Sequence, residues 1–224
     1  MSSIVVLIPS FNDAKTLKKI ILKLKNKYKL LIVNDCSSDE TEYILKKNKI
    51  LNIKNKRNIG YEKSLLKGFY YLKKKKIKEK YILTMDADGE HPLNKIDKIH
   101  KFIESKNLDL VIGSRNGFNR SLEYLTSFLF FLFLGLKDPL SGFKIYKKKS
   151  IFKFLRNIRQ DCLLVDTIFL FKINKFKVEF INLNNLKTTI RKSSLGNSLR
   201  LLPKFIKIYI RLFNYVINNH NYFR

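Results

Sequence analysis

Short β-branched and apolar runs alternate with stretches of helical spacing through the first half of the chain. That alternation restricts the fold more than any other feature. Ile4–Ile8 reads as a buried strand. Asp13–Lys27 carries Leu17, Ile20, Ile21 and Leu24 at helical spacing, with Asp13 near the cap. Leu30–Val33 is a second strand, Ser38–Lys47 a helix capped by Ser37 or Ser38, and Ile50–Ile53 a weak third strand. Helices over Tyr61–Leu72 and Ile96–Ile103 flank a fourth strand, Tyr81–Met85, and Leu108–Ile112 is a fifth. The pattern predicts an α/β protein: a three-layer sandwich with a mostly parallel central sheet.

The second half is less regular. It predicts an apolar helix over Leu122–Leu136, strands at Gly142–Tyr146 and Val178–Leu183, and a helix over Leu163–Phe171. Leu199–Ile217 reads as a C-terminal amphipathic helix with Pro203 in its first turn. Arg200, Lys204, Lys207 and Arg211 share one face of it. We divide the chain into residues 1–195 and a basic terminal helix, 196–224, suited to a membrane surface.

Composition narrows the partners. The formal net charge is +28, which favours anionic partners. Abundant Lys, Asn, Ile and Phe with no Trp also fit an AT-rich coding bias, which accounts for part of that charge. Cys36 and Cys162 form neither a disulfide framework nor a metal-ligand spacing, so a reducing, cytoplasmic setting is expected. The apolar stretch near the N-terminus is too short for a signal peptide, and Leu122–Leu136 is too short to span a bilayer.

The chemistry concentrates where predicted strands end. The fourth strand delivers Asp86 and Asp88, with Ala87 between them and Glu90 at the next alternate position. Acids at the carboxyl end of a buried strand line the ligand crevice of an α/β sheet. Oxygen-only ligands suit Mg²⁺ or Mn²⁺, and such an ion neutralises a diphosphate. A solvated acidic turn is the competing reading. The loop after the first strand, Pro9-Ser-Phe-Asn-Asp13, has no glycine, which argues against a dinucleotide fingerprint. Phe11 there is placed to pack on a base. Asp35 ends the second strand, where it either accepts from a base or ribose or joins a cap cluster. Gly60 precedes a helix carrying Lys63, a setting open to an anion. Arg115 ends the fifth strand, and Arg191 lies ahead of the C-terminal region.

In this order IPSFND, VNDCSSD, RNIGYEKSLLKGF, MDADGEHP, IGSR, DPLSGFK, VDT and RKSS resemble the inverting family 2 glycosyltransferases with a GT-A fold. The resemblance covers about residues 4 to 195. It is nearest the branch that glycosylates dolichyl and other polyprenyl phosphates. It implies that Pro9, Phe11, Asp13 and Asp35 line the base and ribose, and that Lys63, Asp86, Ala87 and Asp88 also contact the nucleotide sugar. Asp86, Asp88 and Glu90 would hold a divalent cation, Mg²⁺ or Mn²⁺. Arg115 and Arg191 would face phosphates, and Asp166 would be a catalytic or sugar-contacting acid. The partners implied are a GDP- or UDP-sugar, a polyprenyl phosphate and the cytoplasmic face of the membrane. No nucleic acid is expected, since the basic residues are dispersed and no nucleic-acid motif is present. An acceptor hydroxyl in polysaccharide or glycolipid synthesis, and a basic nucleic-acid-binding protein, are the alternatives. Asn34, Cys36 and Ile168 depart from the family pattern, which has an acid, a small residue and Glu there.

Overall fold

The central strand β1 (Ile4–Ser10) is buried along its whole length because both of its edges are paired and both of its faces are covered. It runs parallel to β2 (Lys29–Asn34) and to β4 (Tyr81–Thr84). β2 in turn pairs in parallel with β3 (Leu51–Lys54). β5 (Leu110–Ser114) pairs in parallel with β7 (Val178–Asn182). Between β4 and β5 lies β6 (Lys144–Lys147), antiparallel to both. The sheet order is β3-β2-β1-β4-β6-β5-β7. The computed structural model describes residues 2–115, 121–183 and 198–218.

Alternation along β1 sorts its side chains into two cores. Val5 and Leu7 join one with α3 (Tyr61–Lys74), α5 (Ser121–Leu134), α6 (Lys148–Phe154), α7 (Leu163–Ile173) and α8 (Ser198–Asn218). Ile4, Val6 and Ile8 join the other with α1 (Ala14–Leu24), α2 (Thr41–Lys47) and α4 (Ile96–Ser105). Helices therefore cover both faces of a mostly parallel sheet, as the pattern of strands and helices predicts.

Several boundaries differ from the sequence expectation for identifiable reasons. α2 starts at Thr41 because Ser37, Ser38 and Asp39 are occupied elsewhere. Asp39 accepts from the Ala14 N–H at 2.9 Å and from the Thr41 N–H at 3.0 Å. It thus closes the first turn of two helices, whereas no side-chain cap bond comes from Asp13. The Ser37 hydroxyl accepts from the Asn12 N–H, and Asn12 Oδ1 from the Ser38 N–H. α6 falls outside the predicted elements because its apolar spacing spans only two turns. α8 begins at Ser198, so Pro203 lies past the first turn and removes one helical hydrogen bond.

Candidate active site

The loops after β1, β2 and β4 open at one edge of the sheet, as the strand register requires. Pro9 and Ala87 are buried, and Phe11 is 43% exposed. Asp13 is half-buried, and its carbonyl accepts from the Leu17 N–H. Asp35 is buried, and its carboxylate takes the Asn55 amide at 2.8 Å, the Ile59 N–H at 2.9 Å and the Gly60 N–H at 2.8 Å. Asp35 therefore shapes the 55–60 loop that leads into α3, where Lys63 is exposed. Cys36, in the position where the family has a small residue, adopts φ +65°, a region that favours glycine.

Asp86 and Asp88 stand just past the end of β4. Asp86 Oδ2 is 3.0 Å from His91 Nε2. Its Oδ1 is buried and has no hydrogen-bond partner, and the same holds for the Tyr61 hydroxyl. Both atoms crowd Gly142. A Cβ added there would lie 2.3 Å from Asp86 Oδ1 and 2.5 Å from the Tyr61 hydroxyl. Burial pushes Asp86 up, but the charge of His91, and after it that of Arg115, outweigh the burial, so its pKa lies below the ordinary carboxylate value. Burial pulls His91 down, yet the Asp86 carboxylate raises it overall. Asp88 is pushed up, first by burial and then by the charge of Asp86, although the Glu90 N–H donates to it at 2.9 Å. His91 also stacks on Phe143, with ring centres 5.2 Å apart.

This pair of acids suits a hard divalent cation. Two neighbouring carboxylates repel, one oxygen is buried without a donor, and a cation relieves both. Asp86 and Asp88 are the residues that would hold it. Among the described residues no three His, Cys, Asp or Glu side chains converge as a metal cluster. Glu90 is therefore not brought into a three-ligand shell with them. Mg²⁺-type ions bound through one or two carboxylates complete their shell with substrate phosphates and water.

Arg115 is held by Asp138 in a bidentate pair, Nε to Oδ2 at 2.8 Å and Nη2 to Oδ1 at 2.9 Å, and its N–H adds a bond of 3.0 Å. Glu123 of α5 is 3.7 Å away. Asp138 is 1% exposed and takes φ +50°. The 138–143 turn is tied further by Lys144, whose fully buried Nζ donates to the Pro139 carbonyl at 2.7 Å and the Leu164 carbonyl at 2.8 Å. Burial, opposed by Asp138 and Glu62, brings Lys144 down to about 7. A neutral amine still has a hydrogen for each carbonyl.

Asp166 is placed differently. Its carboxylate accepts from the Arg159 N–H at 2.9 Å and from Arg211 of α8 at 2.6 Å. It lines a cavity of about 290 Å³ whose walls include neither Asp86, Asp88 nor Arg115. A larger cavity, about 700 Å³, runs from Asp88 and His91 along α1. Arg191 lies outside the described residues. His91, Tyr61, Gly142 and Lys144 were not singled out as functional from sequence. Their only signal was membership in the MDADGEHP, RNIGYEKSLLKGF and DPLSGFK stretches.

A three-layer sheet with paired acids at the end of its fourth strand and a clamped arginine beside them is the framework of a GT-A transferase. Residues 5–179 match the family model for Glycosyl transferase family 2, and the chain belongs to that family. It is similar to the UDP-N-acetylglucosamine--dolichyl-phosphate N-acetylglucosaminyltransferase of Methanococcus voltae, 25% identical over 245 residues, covering 93% of this chain and 94% of that protein. It is also similar to the undecaprenyl-phosphate 4-deoxy-4-formamido-L-arabinose transferase of Photorhabdus laumondii, 29% identical over 123 residues, 49% of this chain and 36% of that one. It spans about half the length of two other relatives, 51% and 50%. Among solved structures, glucosyl-3-phosphoglycerate synthase from Mycobacterium tuberculosis, in complex with Mn²⁺, UDP-glucose and phosphoglyceric acid, shares the fold. It aligns with TM-score 0.65 at 14% identity over 95% of this chain and 79% of that one.

Proposed function

We propose that this enzyme transfers a hexose, with inversion, from a GDP- or UDP-sugar to the phosphate of a polyprenyl lipid at the cytoplasmic face of the membrane. The observation that carries the reading is the Asp86–Asp88 pair beside the clamped Arg115. The two polyprenyl-phosphate transferases among its relatives support the acceptor class. In this reading residues 1–195 are the transferase and 196–224 the membrane-facing helix.

Pro9, Phe11, Asp13 and the loop shaped by Asp35 hold the base and ribose, with Phe11 stacking on the base. Lys63, Asp86, Ala87 and Asp88 line the rest of the donor. When bound, Mg²⁺ or Mn²⁺ at Asp86 and Asp88, with Glu90 nearby, supplies charge neutralisation for the diphosphate leaving group. Arg115 and Arg191 stabilise the same developing charge, and Asp138 keeps Arg115 oriented for it. A lipid phosphate oxygen is already anionic at neutral pH, so it needs no strong general base. The engagement of Asp166 by Arg211 and the Arg159 N–H agrees with a role in orientation rather than proton abstraction.

Thermal-shift titration with UDP-, GDP- and TDP-sugars, with and without Mn²⁺, tests the donor site. One donor should raise the melting temperature by about 5 °C or more near 100-fold saturation, only with metal. Asp88→Ala should abolish that shift. No shift with any donor in the wild type would sink the reading and turn attention to nucleic acid.

The acceptor side rests on α5 and α8. Among the described residues no helix is long and apolar enough to cross a membrane. α5 exposes Tyr124, Leu125, Phe128, Phe131 and Leu132, while α8, packed on α5 through Tyr209 and Thr126, exposes Leu202, Ile206, Ile210, Phe213 and Ile217. A joint apolar face of this size fits the membrane interface. The cations of α8 contribute less to it than its sequence implies. Lys204, Lys207 and Arg211 turn onto Glu62, Asp161 and Asp166. Co-sedimentation with anionic vesicles should therefore survive moderate salt and be lost in Phe128→Ser/Phe213→Ser. Retention of binding in that double variant would place the contact elsewhere.

A further inference from the structure

The inward turn of Lys204 links α8 to the candidate site. Lys204 pairs with Glu62, a buried carboxylate on the first turn of α3. The other oxygen of Glu62 accepts from the Leu164 N–H at 3.2 Å, at the start of α7. Two routes lead onward from Glu62. The first is one residue long: Tyr61 precedes it, and the Tyr61 hydroxyl faces Asp86 across Gly142. The second runs through α7, where the Leu164 carbonyl takes Lys144 Nζ. Lys144 also holds the Pro139 carbonyl, in the turn whose Asp138 clamps Arg115 and whose Gly142 touches Asp86. Helix α8 is thus linked through the part-buried Lys204–Glu62 pair to the turn that clamps Arg115 by polar contacts, and to the neighbourhood of Asp86 through Tyr61.

We propose that Glu62 is a positioning residue for the transfer, held in place by Lys204 of the C-terminal helix. This deepens the reading above, since it assigns the membrane-facing helix a part in shaping the donor site. A buried carboxylate that loses its cation must take a proton or find another charge. Among the described residues a fully buried lysine, Lys144, shares a field with Glu62. A shift of Glu62 toward Lys144 would draw its Nζ off the Pro139 and Leu164 carbonyls and loosen the 138–143 turn. Arg115 and Asp86 would then lose their common support, although neither touches α8.

Three variants of the full chain test this: Lys204→Met, the conservative Lys204→Arg, and Ile206→Ser as a control on the exposed side of the same helix. Hydrogen exchange reads the coupling without any donor. Lys204→Met should speed exchange about tenfold or more at the Leu164, Ser141 and Phe143 amides, as expected when local opening becomes easier. Lys204→Arg and Ile206→Ser should leave those amides as in the wild type. Calorimetric titration with Mn²⁺ and UDP or GDP reads the consequence. Lys204→Met should weaken nucleotide binding about tenfold, a loss equal to about 1.4 kcal/mol, with Lys204→Arg close to wild type. Exchange changes confined to α8, or equal losses in both Lys204 variants, would overturn the proposal. A wild type that binds neither nucleotide would reject the donor-site reading instead, and the exchange result would still decide the coupling.

Discussion

Gly142→Ala is expected to abolish metal-dependent nucleotide binding while the protein stays folded. The new methyl would lie 2.3 Å from Asp86 Oδ1, 2.5 Å from the Tyr61 hydroxyl and 3.0 Å from Asp86 Cγ. Real Cβ contacts do not approach so closely, so something must move. The backbone is the least free to do so. Gly142 is held through its carbonyl by the Thr84 hydroxyl at 2.8 Å, and the next residue, Phe143, accepts from the Gly113 N–H at 2.8 Å. The side chains of Asp86 and Tyr61 will be displaced instead, by about an ångström or more. Misplacement on that scale costs about 100-fold in a preorganised site. The melting temperature should fall by only a few degrees, because the collision involves polar side chains at the sheet edge and leaves both cores intact. Calorimetry with Mn²⁺ and the donor found by thermal shift, alongside circular dichroism, checks both halves. Near-normal binding in Gly142→Ala would show that Asp86 does not need its present position.

The second large effect concerns Arg115. Replacing it by methionine should destabilise the protein by about 3–5 kcal/mol, the usual cost of removing one partner of a buried ion pair. Asp138 would keep the Arg115 backbone N–H but lose both guanidinium bonds in a place that is 1% exposed. Its Oδ atoms would face a low-dielectric interior beside Lys144, and burial already brings that lysine down to about 7. Asp138→Asn in the same protein should recover part of the loss, because a neutral amide needs no counter-charge. Urea unfolding of the two single variants and the double variant gives the coupling between them directly. Equal and additive losses would mean that Arg115 and Asp138 contribute independently, contrary to the bidentate geometry. If Arg115 faces the leaving group as proposed above, transfer should fall further than stability in Arg115→Met.

What is legible in this sequence is local. Asp86 and Asp88 were legible because a strand and the acids at its end are adjacent in sequence. Alternation within β1 and helical spacing within α1 and α3 predicted the layers for the same reason: each element carries its own burial pattern. Asp35 was recognisable as a strand-end acid, but its bonds to Asn55, Ile59 and Gly60 depend on how the β3–α3 loop returns to β2. The insertion of β6 between β4 and β5 could not be read either, since four residues of strand pattern say nothing about direction. Lys204, Lys207 and Arg211 of the basic stripe lie on one side of α8, as their spacing predicts. Which way that face turned depended on Glu62, which pairs with a lysine 142 positions away, and on Asp166, 45 positions from Arg211.

Sequence alone determined the layered α/β architecture, the family, the acids after β4 and the amphipathic character of the last helix. All of these follow from residues within a few positions of one another, where periodicity and chain connectivity leave few arrangements. Tertiary structure alone decided that Gly142 braces Asp86, that Lys144 is buried beneath the 138–143 turn, and that α8 turns Lys204 and Arg211 inward while it exposes apolar side chains. Those outcomes depend on the high cost of burying an uncompensated charge. Each buried acid and lysine had to meet a partner, and the partner's place in space is set by the whole chain rather than by its neighbours in sequence.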